Sequence, residues 1–149
     1  MKEDRFLTGI LIGIALLVVA SLTLFFLRKD TQTYLPEDNP EAIVHNYIFA
    51  LEKGDFEQAY SYLAEEKNMP SYTEFQQDLF RENNEKSVQV GTAEINDDRA
   101  WVTITLSEKT GFFGDYSYSE RAVLIKQGND WKIFYMSYPY WSWDWYEEN

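Results

Sequence analysis

Three residues on one predicted strand could do proton chemistry together. By period-2 counting, Glu120 shares a face with Tyr116 and Tyr118, which puts a carboxylate beside two phenols. A base next to hydroxyl donors in a dry pocket can abstract a proton and stabilise the oxyanion that forms. The plainer reading has Glu120 solvated or paired with Arg121 or a cross-strand Lys. Other chemistry is scarce. The chain has no Cys, which excludes disulfides, thiol catalysis and Cys-ligated metal, and its one His excludes a His-cluster metal site. No metal or cofactor is expected. His45 lies between Val44 and Asn46, off the Ile43/Tyr47 face, and reads as a surface or boundary residue. The loop Lys109 to Gly114 contains glycines but lacks phosphate-loop spacing and a following helix. Glu65-Glu66 and Asp97-Asp98 lack calcium-loop spacing and read as solvated.

Aromatic residues form the second candidate. They make up 17% of the chain: 11 Tyr, 10 Phe and 5 Trp. Phe112 and Phe113, adjacent in a loop, suit a docking tip or a lid, or more plainly a hairpin tucked into the core. Phe134 to Tyr146 holds eight aromatics in thirteen residues. Beyond Pro139, Trp141, Trp143 and Trp145 recur with period 2, so an extended tail would present all three on one face. Such a strip would dock a protein partner, since Trp and Tyr dominate interface hot spots. The plainer alternative folds the tail back over the domain's own sheet. A membrane-interface belt is opposed by Asp144, Glu147 and Glu148. Stacking on sugars is a further use of flat indoles.

Charge narrows the partners. The 149 residues carry 25 acidic and 13 basic side chains, a net charge of −12. Asp30 to Asn149 alone holds 23 acidic and 9 basic, a net of −14. Nucleic acid, whose phosphates need Lys and Arg, is not an expected partner. Anionic lipid headgroups should likewise be avoided.

The N-terminal stretch does contact lipid on this reading. Phe6–Leu27 is 22 residues without a charge, bounded by Lys2 and Arg5 before it and Arg28 and Lys29 after it. A helix of that length reaches about 33 Å, enough to cross a hydrocarbon core of about 30 Å. A cleaved signal peptide with Val18-Val19-Ala20 at its end is the alternative, but the apolar run continues to Leu27, long for a signal core. The missing Cys excludes a lipoprotein. The single GxxxG, Gly9 to Gly13, is weak evidence for helix dimerisation. Two basic residues on each side leave the positive-inside rule tied. The domain is expected outside, because a single N-terminal anchor usually serves as an export signal.

The soluble part reads as three helices followed by strands. Asn39-Pro40 starts the first, with Ile43, Tyr47, Ala50 and Leu51 on one face and Gly54 ending it. Asp55 with Gln58 is a capping box for the second, whose stripe is Phe56, Ala59, Tyr60 and Leu63. Ser71 with Glu74 caps the third, with Tyr72, Phe75 and Leu79 buried. From Ser87 the period changes to 2. Val88 and Val90 lead, Asn96-Asp97-Asp98 turns, and Val102, Ile104 and Leu106 follow. Tyr116 to Lys126 is a long strand and Trp131 to Tyr138 the last one.

Helices before an antiparallel meander make an α+β fold with helices on one face of a curved sheet. The pattern resembles the nuclear-transport-factor-2-like superfamily of cone folds. It is carried by Pro40-Glu-Ala-Ile-Val44, by Ala50-Leu-Glu-Lys-Gly-Asp-Phe-Glu-Gln-Ala-Tyr60 and by Gly128-Asn-Asp-Trp-Lys-Ile133, turns and hairpins frequent in small bacterial envelope members. The resemblance spans about Asn39 to Tyr138 and implies a cone into which Tyr47 would point, joining Tyr116, Tyr118 and Glu120 as a pocket. Enzymes of that superfamily place a carboxylate or His and one or two Tyr there. The expected organisation is a transmembrane anchor over 1–29, a linker over 30–39, an α+β domain over 40–138 and an aromatic, acidic tail over 139–149. The expected function is a single-pass, non-enzymatic binding or assembly module of a membrane or envelope complex. The alternative is a small-ligand binder or an isomerase- or dehydratase-like cone enzyme.

Overall fold

The computed structural model describes residues 5–27, 33–80, 87–109 and 114–146. Its elements are α1 (Arg5–Leu27), α2 (Pro40–Lys53), α3 (Phe56–Ser61), α4 (Tyr72–Phe80), β1 (Ser87–Asn96), β2 (Arg99–Lys109), β3 (Asp115–Gln127) and β4 (Asp130–Tyr135). The chain divides into two compact units, Met1–Thr33 and Tyr34–Asn149.

The first unit contains α1, a 23-residue helix. The helix expected over Phe6–Leu27 is therefore present. Thr23 Oγ1 donates to the Val19 carbonyl one turn back at 2.8 Å, which satisfies its hydroxyl without solvent. Side chains are described over residues 8–24 of α1, and among the described residues no helix is long and apolar enough to cross a membrane.

The second unit is α+β, three helices and an antiparallel meander in the order β1-β2-β3-β4. Its caps are those the residue types demand. Asn39 accepts from the Ala42 N–H at 2.8 Å with Pro40 in the first turn of α2, and Gly54 ends that helix at φ +74°, where other residues are strained. Asp55 accepts from the Gln58 N–H, and the Glu74 carboxylate reaches back to the Ser71 N–H and hydroxyl. On β2, Ala100, Val102, Ile104 and Leu106 are all fully buried, opposite Leu124, Ala122, Glu120 and Tyr118 of β3.

Strand β1 carries a bulge between Val90 and Ala93. Val90 faces Ile104 and Ala93 faces Val102, so one extra residue is absorbed at Gly91-Thr92 without losing the inward face. Glu41 of α2 accepts the Ala93 N–H at 2.8 Å, tying the helix to the bulge. A Cβ at Gly91 would lie 3.0 Å from the Thr103 carbonyl oxygen, which explains a glycine in mid-strand.

Four details depart from the sequence reading. Helix α2 is buried nearly all round, from Pro40 through Ala50, instead of on one face. Tyr72, expected in the core, is 40% exposed because it opens α4 at its end; its ring packs T-shaped with Tyr60 at 5.4 Å. Strand β4 stops at Tyr135, short of Tyr138. The compact unit also begins before residue 40 and continues past 138. Ahead of α2, the fully buried Asn46 amide accepts the Leu35 N–H at 2.7 Å and donates to the Leu35 carbonyl at 2.9 Å, pinning residues of the expected linker to the domain.

Two substitutions check this core. Phe75, fully buried, should lose about 3–5 kcal/mol of stability as Phe75→Ala in chemical denaturation. Asn46→Leu should cost about 2 kcal/mol or more by leaving both Leu35 groups unpaired. A loss below about 1 kcal/mol for either would contradict the packing described.

Candidate functional site

The C-terminal segment does not run extended. After β4 the chain turns twice, with Tyr140 N–H bonded to the Ser137 carbonyl at 3.0 Å and Trp145 N–H to the Ser142 carbonyl at 3.4 Å. Turning brings Trp141 and Trp145 to the same side, where both are buried, and leaves Trp143 between them 81% exposed. The three indoles therefore do not share one face, and the period-2 strip is replaced by a two-in, one-out arrangement. Trp141 and Trp145 meet at 4.8 Å between centroids, and Trp145 lies 5.3 Å from Phe75. The Trp145 indole N–H donates to Asp78 of α4 at 2.9 Å. Tyr146 stacks on Trp141 at 5.6 Å and donates to the Ala64 carbonyl at 2.6 Å. The buried Tyr47 hydroxyl donates to the Tyr140 carbonyl at 2.8 Å.

These anchors leave a cleft of about 480 Å³, within the usual range for small binding sites. Asp78 and Leu79 of α4 form one side, and Tyr135, Tyr138, Trp141 and Trp143 line the other. Tyr135, Tyr138 and Trp143 are all exposed large side chains. An aromatic mouth with a carboxylate in its wall offers ring faces and one strong acceptor, which suits capture of a side chain or a small group.

The other candidate residues fall apart. Glu120 is exposed, although its register partner Ile104 is fully buried. Tyr116 and Tyr118 do come together, with ring centroids 5.8 Å apart, Tyr116 exposed and Tyr118 half-buried. Tyr47 is fully buried and its hydroxyl is held by the Tyr140 carbonyl, so it adds no donor beside Glu120. His45 is half-buried, its Nδ1 3.4 Å from Asn46 Oδ1 and its ring stacked on Phe49 at 6.0 Å. It lines a shallow hollow with Asp38, Glu41 and the β1 bulge. Phe112 and Phe113 lie outside the described residues. Among the described residues no group of three or more His, Cys, Asp or Glu could hold a metal ion.

Asp78, Asn46 and Tyr140 were not singled out by sequence reasoning. Asn46 had a readable signal. With His45 it interrupts the apolar run from Ala42 to Leu51, and a polar residue buried in such a helix must find partners. Asp78 had none, since its role depends on where Trp145 lands.

Several phenols are held protonated. Burial, the Glu37 carboxylate that accepts its hydroxyl, and the charge of that carboxylate push Tyr62 up to about 12. Burial raises Tyr47 well above the ordinary value, and Tyr140 and Tyr146 are raised chiefly by burial too.

No family model and no curated protein matches the chain. Among solved structures it is similar to a SEC-C motif containing protein from Rhodopseudomonas palustris, at 16% identity and a TM-score of 0.51, over 68% of this chain and 79% of that one. It is also similar to a calcium/calmodulin-dependent protein kinase type II association domain from Thiobacillus denitrificans, at 11% identity and 0.49, over 68% and 93%. An NTF2-like transpeptidase from Campylobacter jejuni matches at 21% identity and 0.42, over 66% and 99%. The first likeness is one of fold alone, and the other two, below 0.5, carry no argument.

Deleting the chain after Tyr138 should unfold the domain or remove several kcal/mol, because two core indoles go with the segment. Trp143→Ala should stay within about 1 kcal/mol of the parent. A truncated domain as stable as the parent would contradict the anchoring. In alkali, raised phenol values mean the folded state holds protons that the unfolded state releases. Their stabilisation is complete below about pH 10 and is lost as pH rises through about 12 for Tyr62. Ultraviolet titration should therefore show a lagging group of phenols that ionises with unfolding; a single phase shared by all 11 Tyr would contradict it.

Proposed function

We propose that this protein is a single-pass, membrane-anchored and non-enzymatic binding module, an accessory component of a membrane or envelope complex. On this reading Phe6–Leu27 spans the bilayer and the domain stands on the extracytoplasmic side. The anchor is supported by 22 consecutive uncharged residues within a helix of 23, and by the exposure of Leu11, Leu16, Leu17 and Val19 along it. Apolar side chains exposed in such a continuous row need lipid or protein cover. The domain is read as nuclear-transport-factor-2-like from its helices-then-meander order and from the Gly54-Asp55-Phe56 and Gly128 to Ile133 turns.

The observation that carries the binding reading is Trp143, 81% exposed in a cleft whose other indole, Trp141, is buried. A large ring held out by a rigid, anchored segment has the form of an interface hot spot. The ligand-binding or enzyme alternative would rest on Glu120, which is exposed, and on Tyr47, whose hydroxyl is already bonded to the Tyr140 carbonyl.

Alkaline carbonate washing should leave the protein in the membrane fraction with its N-terminal residues intact. Extraction in mild detergent should recover stable partners with the parent and lose them with Trp143→Ala. A soluble product beginning near Ser21 would overturn the anchor. Partners retained undiminished by Trp143→Ala would overturn the docking role. A bound small molecule whose affinity depends on Tyr47 and Glu120 would favour the alternative of a small-ligand binder or cone-pocket enzyme.

A further inference from the structure

We propose that the aromatic cleft between α4 and the C-terminal segment takes the cationic side chain of a basic protein segment, an Arg guanidinium or a Lys ammonium. The inference rests on the reading of the domain as a binding module and names the chemistry of its partner.

Three observations point to a cation. Tyr135, Tyr138 and Trp143, 46%, 59% and 81% exposed, line the cleft, and a guanidinium or ammonium is attracted to aromatic faces, to Trp most of all. The wall carries Asp78. Its Oδ2 accepts the Trp145 indole N–H at 2.9 Å, which fixes the carboxylate in place, and an ionised carboxylate has room for several donors. Two more carboxylates stand close by: Asp144 directly follows Trp143, and Glu74 precedes Asp78 by one helical turn on α4. The Ser71 N–H and hydroxyl hold the Glu74 carboxyl below its ordinary value, against a smaller opposing effect of the nearby Asp144 charge.

No Lys or Arg is among the residues that line the cleft, so no cation there balances the Asp78 carboxylate, although Ser142 donates to Asp144 at 2.6 Å. The net charge of −14 over Asp30 to Asn149 would steer a basic segment toward the domain and repel an acidic one. The same pairing occurs inside the domain, where Lys53 Nζ lies 4.4 Å from the Phe49 ring centroid and Lys126 Nζ 5.8 Å from that of Trp131. A neutral partner would use the rings but bring no counter-charge to Asp78. Arg is the better fit of the two, because its planar group stacks on an indole while its edge donates to a carboxylate.

The test uses the full chain in uncharged detergent micelles and a fluorescein-labelled hexa-arginine peptide, read by fluorescence anisotropy. Asp78→Asn keeps an oxygen for the Trp145 N–H and removes the charge. The double variant Asp97→Asn, Asp98→Asn removes charge at the distant β1–β2 turn. Trp143→Ala should weaken binding about tenfold and Asp78→Asn at least about threefold, with the turn variant within about twofold of the parent. Equal weakening by all three variants would mean diffuse attraction to an acidic surface and would overturn the proposal. So would unchanged affinity in Trp143→Ala, or quenching of Trp143 by a neutral oligosaccharide with no peptide bound. If hexa-arginine does not bind while Trp143→Ala still strips partners in detergent, the cation assignment fails and the binding-module reading stands.

Discussion

The sheet has one apolar face and too little helix to cover it. Helix α2 lies against β1, β2 and β4 and is buried nearly all round in doing so. Helices α3 and α4 are only 6 and 9 residues long. An inner row running from Ala100 through Leu106, with Ala122, Leu124 and Ile133 beside it, needs more cover than these supply. The aromatic segment after β4 supplies the rest. Trp145 on Phe75, with its N–H on Asp78, and Tyr146 on Trp141 close the layer; the Tyr47 hydroxyl ties the segment to α2. A buried indole or phenol brings a polar group that needs a partner: Trp145 finds Asp78, Tyr146 the Ala64 carbonyl and Tyr47 the Tyr140 carbonyl.

The exposed cleft follows from that closure. A turning segment that sends Trp141 and Trp145 inward must send Trp143 outward, and the helix that holds Asp78 for Trp145 also presents it to the cleft. Core and candidate interface are thus built from alternate residues of one short stretch. Trp143 therefore sits on a rigid support, and a partner would not have to order it first.

Local chemistry was legible in the sequence, and long-range placement was not. Asn39, Asp55, Ser71 and Gly54 act where their side chains or their freedom of φ dictate, and the alternation on β2 is kept throughout. The inward row of β1 shifts by one at Gly91-Thr92, because its register is fixed by β2 and by Glu41, which a strand's own pattern does not contain. Tyr47 was read as a pocket residue, but the carbonyl that accepts its hydrogen bond belongs to Tyr140, 93 positions away. The Trp spacing suggested a strip only on the assumption of an extended backbone. The turns at Ser137 and Ser142 remove that assumption, and with it the common face.

The account turns on Trp145 being a core residue and Trp143, two positions earlier, a surface one. Hydrogen exchange of the indole N–H groups, followed by NMR on the full chain in micelles, measures this directly. The Trp145 indole N–H, bonded to Asp78 in a buried cluster, should exchange slowly, on the timescale of domain opening. The Trp143 indole N–H should exchange at the rate of an exposed indole. Equal rates for the two would place them in the same environment and contradict the structure of the segment on which both the core and the proposed docking cleft depend.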